Sequence, residues 1–360
     1  MIRKVLLLGD FSAVHMNLAE GLRNLGIDAV DASYGNAWRQ LDSSINFERQ
    51  ILGLPVKISR NISPFVNFNK LINNDIVQFI HYNNFNRRFL IDRALSKIIV
   101  RLNRKAFLVS TGCDYFTRQY FGGKYDYPEL CRECLKHDQR SESCQFESES
   151  NKREQSEFLE SIDGVIPLTY EYAESYREAG IAKLLKTIPM PINTEKVKYS
   201  ENTVGRELVF FHGLNREGFK GTELIRQALE NVRRRYPNDI KVIVEGKMPL
   251  SDYLKALAKS NVVVYQAYAL TYGMNAVYSM ALGKVVMGGG HPKGLAEYGV
   301  ANSPVIAFQP NLASLEESIE GMIERRRDIP KMSVEARNYV VNVHHYELIA
   351  KKFLQAWAQC

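Results

Sequence analysis

Short apolar runs alternate with longer amphipathic stretches along most of the chain. Residues 4–9 read as a buried strand, and the loop DFSAVHMN leads to a stretch placing Val14, Leu18, Ala19, Leu22 and Leu25 on one helical face. Residues 27–30 start the next strand. Residues 31–70 carry scattered asparagines and read as loops and short elements. Further strands are expected at 75–81, 106–110, 164–168, 208–211, 241–245, 261–265, 284–287 and 305–308, most of them followed by a helical pattern. Thr169 and Ser251 are candidate caps, 148–160 reads as an exposed helix, and 312–326 and 334–357 complete the helices. This alternation predicts an α/β protein with two parallel-sheet domains facing each other across a ligand crevice. The paired prolines and polar run of IPMPINTEKVKYSENTVG mark the boundary between them. The expected division is 1–195, then 196–335, with 336–360 a C-terminal helix returning to the first domain.

The stretch 208–236 carries the first chemical signal. LVFFHG reads as a buried strand, LNREGFKG as a polar loop, and TELIRQALENVRRRY as a helix burying Leu224, Ala228, Val232 and Tyr236. Thr222 is the candidate N-cap. Gly213, Arg216, Lys220 and Gly221 surround the start of that helix, where free amides beside an arginine and a lysine form an anion seat. The alternative is a solvated basic loop.

Composition changes this picture little. The chain has 360 residues, ordinary globular composition, a net charge of +7 and a pI near 9.0, which suits an anionic ligand or an anionic membrane surface. No zinc finger, basic zipper or RNA-binding signature supports a nucleic-acid partner. The first loop lacks the spaced glycines of a dinucleotide fingerprint. MIRKVLLLGD is too short an apolar run for a signal peptide, and no stretch is long enough to span a bilayer, so a cytoplasmic protein is expected. The helical pattern in 87–105 is rich in Lys and Arg and could rest on the inner face of an anionic membrane.

Four of the five cysteines lie between positions 113 and 144. Cys131 and Cys134 have metal-knuckle spacing, and Cys113 and Cys144 (or His137) could complete a structural zinc site; reduced thiols are the alternative. Polar groups at strand ends supply the other candidates: His15, His81, Asn83 and Asp114 in the first half, and Gln266, Tyr268, Tyr272 and His291 with Lys293 of GGGHPKG in the second.

FHGLNREGFKG, LTYGMNAVYSMALG and IPMPINTEKV together resemble the GT-B glycosyltransferases, which are built from two Rossmann-like domains. More narrowly, they resemble the retaining family 4 (group 1) transferases, which include bacterial sugar transferases of lipopolysaccharide and capsule assembly. The resemblance covers most of the chain and is best over 205–295. Lys220 and Gly221 match the family's lysine–glycine pair, while Arg216 stands displaced from the usual basic position, occupied here by Leu214. Gly273, Met280, Ala281 and Gly283 fall in place, but the two glutamate positions hold Leu270 and Tyr278.

The resemblance implies transfer of a sugar from a nucleoside diphosphate sugar to a hydroxyl on a glycan, lipid-linked or other acceptor. It implies retention of configuration, no cofactor required for transfer, and no protein nucleophile. Gly213, Arg216, Lys220, Gly221, Gln266, Tyr272, Gly273, Tyr278 and His291 would bind the donor, and Asp114, His81 and His15 would face the acceptor. A few such relatives carry a cysteine-bearing insertion, placed here at about 113–150. Loss of both glutamates leaves a non-catalytic nucleotide-sugar-binding relative or partner subunit of an active transferase as the alternative, and another two-domain enzyme, such as a nucleotide-sugar epimerase, as a second.

Overall fold

The computed structural model describes every residue except 35–42, 52, 86–90, 128, 138–143 and 247. It contains two parallel sheets. The strands of the first are β1 (Lys4–Leu8), β2 (Asp28–Ser33), β3 (Ile45–Asn46), β4 (Ile76–Phe79), β5 (Lys105–Ser110) and β6 (Gly164–Pro167), in spatial order β3-β2-β1-β4-β5-β6. The second contains β7 (Leu208–Leu214), β8 (Ile240–Gly246), β9 (Val262–Val264) and β10 (Val285–Met287), in order β10-β9-β7-β8. Chain direction across the sheet reverses between β1 and β4 and again between β7 and β9. Each reversal opens a crevice at the carboxyl ends of the strands.

The helices of the first half are α1 (Val14–Asn24), α2 (Val56–Val66), α3 (Phe68–Leu71), α4 (Ile91–Arg101), α5 (Tyr115–Gly123), α6 (Glu129–His137), α7 (Glu149–Ser161) and α8 (Tyr170–Glu178). Those of the second are α9 (Glu217–Lys220), α10 (Thr222–Arg235), α11 (Leu250–Ala258), α12 (Met274–Ala281), α13 (Pro292–Tyr298), α14 (Leu312–Glu324), α15 (Ile329–Val343) and α16 (Tyr346–Gln359). The apolar strands β1, β5, β7 and β9 are buried almost throughout, as strands covered by helices on both faces must be. α16 packs on α1 rather than on the second sheet. Trp357 is fully buried there, and its indole N–H donates to Gln78 Oε1 at 3.0 Å.

Several local expectations change. Residues 305–308 form no strand, only a bridge between Met287 and Ile306. Gly221, not Thr222, precedes α10, because the Thr222 hydroxyl is already engaged by His212. Pro249 rather than Ser251 precedes α11. α7 is capped by Ser148 and is only half exposed, burying Asn151, Gln155, Phe158 and Leu159. α2 occupies a region expected to be loops, with Pro64 inside it. Of the basic stretch, Arg87 and Arg88 lie outside the described residues and 91–101 form α4.

Candidate functional site

Strand β7 delivers the chain to the second switch point through the buried Phe210, Phe211 and His212. His212 bonds the Val264 carbonyl through Nδ1 at 2.7 Å and the Thr222 hydroxyl through Nε2 at 2.8 Å, tying β7 to β9 and to the start of α10. Burial, and then the Lys220 charge, lower its pKa to about 3, so it is neutral. Lys220 is only 6 % exposed; its ammonium donates to the Gly213 carbonyl at 3.1 Å and lies 5.3 Å from the centre of the Tyr265 ring. A lysine held at a helix start, beside a strand end, places positive charge where the helix dipole also favours anions. Gly221 is left-handed (φ 71°), and a Cβ there would press on Ala267 and Tyr268.

Arg216 adopts the left-handed region at φ 56°, uncommon outside glycine. The residue is exposed, but its guanidinium end lies over Phe219 (3.8 Å to the ring centre) and donates to Cys113 Sγ at 3.0 Å. It therefore faces the cysteine-bearing insertion.

The remaining donor-side candidates are distributed differently. Gln266 is buried and donates to the Thr271 carbonyl at 3.3 Å. Tyr272 is fully enclosed, its hydroxyl bonding Tyr339 at 2.7 Å and His344 at 2.9 Å, which commits it to joining the loop to α15. Gly273 precedes α12. The hydroxyl of Tyr278 points to the first domain and accepts from Asn17 of α1 at 3.1 Å. His291 precedes α13, its Nδ1 accepting from the Lys293 N–H at 3.2 Å, while Lys293 pairs with Asp126 of the insertion at 2.7 Å. Leu270 lies in an apolar cluster with Tyr120, Phe121, Tyr125 and Leu130 of the insertion.

In the first domain, His15 is fully buried, bonded to the Gly9 carbonyl at 2.7 Å and to Gln78 at 3.2 Å. Burial lowers its pKa to about 4. It is a neutral internal histidine within a chain of bonds that runs through Gln78 to Trp357. Asp114 is likewise internal: Oδ1 caps α5 by accepting the Thr117 N–H at 2.8 Å, and Oδ2 accepts the Tyr176 hydroxyl at 2.6 Å. Its two oxygens are thus engaged in holding α5 and α8. His81 stays at the β4 strand end, its Nε2 3.3 Å from the Cys113 carbonyl.

Two carboxylates that the residue patterns did not single out stand close to the crevice. Asp10, just beyond β1, is 5 % exposed and accepts the Met16 N–H at 2.9 Å. Burial raises its pKa to about 7. The turn it begins contains Ser12 and Ala13, both left-handed, at φ 57° and 66°. Such backbone strain collects at functional sites. Glu171 of α8 is buried and accepts the Thr271 N–H at 2.7 Å, joining the two domains. The signal for Asp10 was its position at the carboxyl end of the first strand; for Glu171 the sequence offered none.

The insertion lies against the loop that carries Arg216 and Lys220. α6 meets α9 so closely that a Cβ on Gly218 would fall 2.0 Å from the Glu133 carbonyl oxygen. His137 of α6 lies near the carboxylates of Glu133 and Glu223, at 3.8 and 3.7 Å.

No protein-family model matches the chain, and no curated protein matches it significantly in sequence. Solved structures do match in fold. HepE of Anabaena, in complex with UDP and glucose, matches over 100 % of both chains at 13 % identity and a TM-score of 0.61. Sucrose-phosphate synthase from Thermosynechococcus elongatus matches over 99 % of this chain and 98 % of its own, at 16 % identity and a TM-score of 0.63. UDP-GlcNAc 2-epimerase from Neisseria meningitidis, bound to UDP-GlcNAc, matches over 99 % of this chain and 100 % of its own, at 12 % identity and a TM-score of 0.54. The fold is the GT-B arrangement of two Rossmann-like domains.

Proposed function

We propose that the protein binds a nucleoside diphosphate sugar at the carboxyl edge of the second sheet and transfers its glycosyl group to an acceptor hydroxyl held against the first domain. The observation that carries this reading is Lys220, nearly buried at a strand–turn–helix switch point with its ammonium beside the start of α10. Such a seat stabilises the charge that develops on a leaving diphosphate without a metal. The bond between the anomeric carbon and the diphosphate oxygen breaks, and the acceptor oxygen bonds the same carbon. The acceptor proton passes to the departing phosphate on the same face, which retains configuration and needs no protein nucleophile. HepE bound to UDP and glucose supports a uridine donor and a hexose. Asp10 and His81 are the groups assigned to the acceptor side, Asp10 because its carboxyl can give or take a proton near neutrality.

The acceptor class we favour is a glycan or lipid-linked hydroxyl in bacterial cell-surface polysaccharide or glycoconjugate synthesis. A peripheral station on the inner membrane face fits this. Among the described residues no helix is long and apolar enough to cross a membrane. α2 instead exposes Val56, Ile58, Phe65 and Val66 beside Lys57 and Arg60.

A second reading is a nucleotide-sugar binder without turnover. Leu270 and Tyr278 favour it, since neither side chain carries a carboxylate to offer the donor; one is packed against the insertion and the other bonded to Asn17. An isotope-labelled donor assay separates the readings. Transfer to an added glycan or lipid-linked acceptor is expected; binding without turnover would select the second reading, and change of the donor alone would indicate an epimerase.

A further inference from the structure

Cys113 beyond β5, Cys131 and Cys134 on α6, and Cys144 beyond the insertion come from separate segments, yet all are free thiols. The Cys131 thiol lies within electrostatic reach of the other three, Cys134 within reach of Cys113 and Cys144, and Cys144 within reach of Cys113. Two arginines face the group. Arg216, from the second domain, donates to Cys113 Sγ at 3.0 Å, and its charge also acts on Cys134. Arg118, on α5, acts on Cys131 and Cys144, pairs with Glu147, and has a buried Nε with no hydrogen-bond partner among the described residues. Four neutral thiols give two guanidinium groups little reason to gather there. Four thiolates around a doubly charged core carry about two negative charges, which Arg216, and Arg118 shared with Glu147, offset.

We propose that Cys113, Cys131, Cys134 and Cys144 hold a metal centre through four thiolates, balanced by Arg118 and Arg216, which clips the insertion to the donor loop of the second domain. The core is either zinc or a four-iron cluster, which share this chemistry and charge. Tetrahedral zinc with bonds of about 2.3 Å needs sulfurs about 3.8 Å apart. Among the described residues no three of these sulfurs lie within 4.8 Å of one another. Zinc would therefore draw the sulfurs inward, whereas a cluster, with each thiolate on a different iron, suits the wider setting. The centre accounts for the left-handed backbone of Arg216, which aims its side chain across the domain boundary. It leaves Lys220 as the cation for the diphosphate. The centre would exist whether or not the protein transfers sugar.

The test is the metal content of the full chain, purified without oxygen or chelator. About one zinc per chain, or about four irons with matching sulfide and visible absorption, is the expected result, and the two outcomes name the core. Cys134→Ser, at a half-buried position, should lower the content about tenfold or more, Arg216→Ala should speed its loss to a chelator, and Cys360→Ser should change neither. Wild-type protein with neither metal would overturn the proposal even if the variants failed to fold. So would a Cys134→Ser protein that kept its full metal content.

Discussion

Asp10 is the residue whose chemistry departs furthest from what its type suggests. Its folded pKa, raised by burial from 3.8 to about 7, means the native state resists ionising it. The stability it allows is complete below the unfolded pKa and is lost as pH rises through the folded one, so Asp10 works against folding above about pH 7. Asp10→Asn should therefore stabilise the protein by up to about 4 kcal/mol at pH about 8 and by almost nothing at pH about 4, as read by urea denaturation. An equal effect at both pH values would contradict the assignment. The buried histidines act in the opposite sense. His15, His212 and His344 have folded values of about 4, 3 and 4, each lowered first by burial, so their contribution is present above about 6.5 and is lost as pH falls towards 4. A melting temperature that falls steeply from pH about 6.5 to 4.5 is expected, and a flat profile would contradict it. From sequence, Asp10 reads only as the residue that ends the first apolar run, and His15 as a polar group near a strand end. Burial by segments distant in the chain cannot be read from local pattern.

At the scale of elements, most strands and helices were legible because their apolar periods are strong and their faces are buried. α2 was not, since Pro64 and four exposed apolar residues break the pattern. That exposed face carries the proposed membrane contact. Phe65→Glu combined with Val66→Glu should weaken partition onto anionic vesicles about tenfold, and unchanged partition would remove the contact. α16 is the element that couples the chain's end to its beginning, through packing on α1 and through the Gln78–Trp357 bond. Trp357→Ala would empty a fully buried site and leave the Gln78 oxygen without that donor. A loss of about 3–5 kcal/mol is expected in urea denaturation; a loss below about 1 kcal/mol would mean α16 is dispensable.

At the scale of the molecule, two parallel-sheet domains were legible from alternation, and their GT-B arrangement from the family resemblance of FHGLNREGFKG and LTYGMNAVYSMALG, but the way the domains meet was not. Arg216 reads from sequence as a donor-loop cation, yet its partner lies 103 positions away in the other domain. Tyr278 stands at a family glutamate position and bonds Asn17, 261 positions away. Both pairings depend on how two lobes and an insertion pack, which no local signal encodes. Together they leave Lys220 as the cation on which the proposed donor binding rests. Calorimetric titration of a panel of nucleoside diphosphates, uridine first, into wild type and Lys220→Ala tests this most directly. The account predicts that wild type binds at least one of them and that the variant, with its melting temperature kept, binds it about 10- to 100-fold more weakly. Wild-type protein that binds none, or a variant that binds as tightly as wild type, would contradict it.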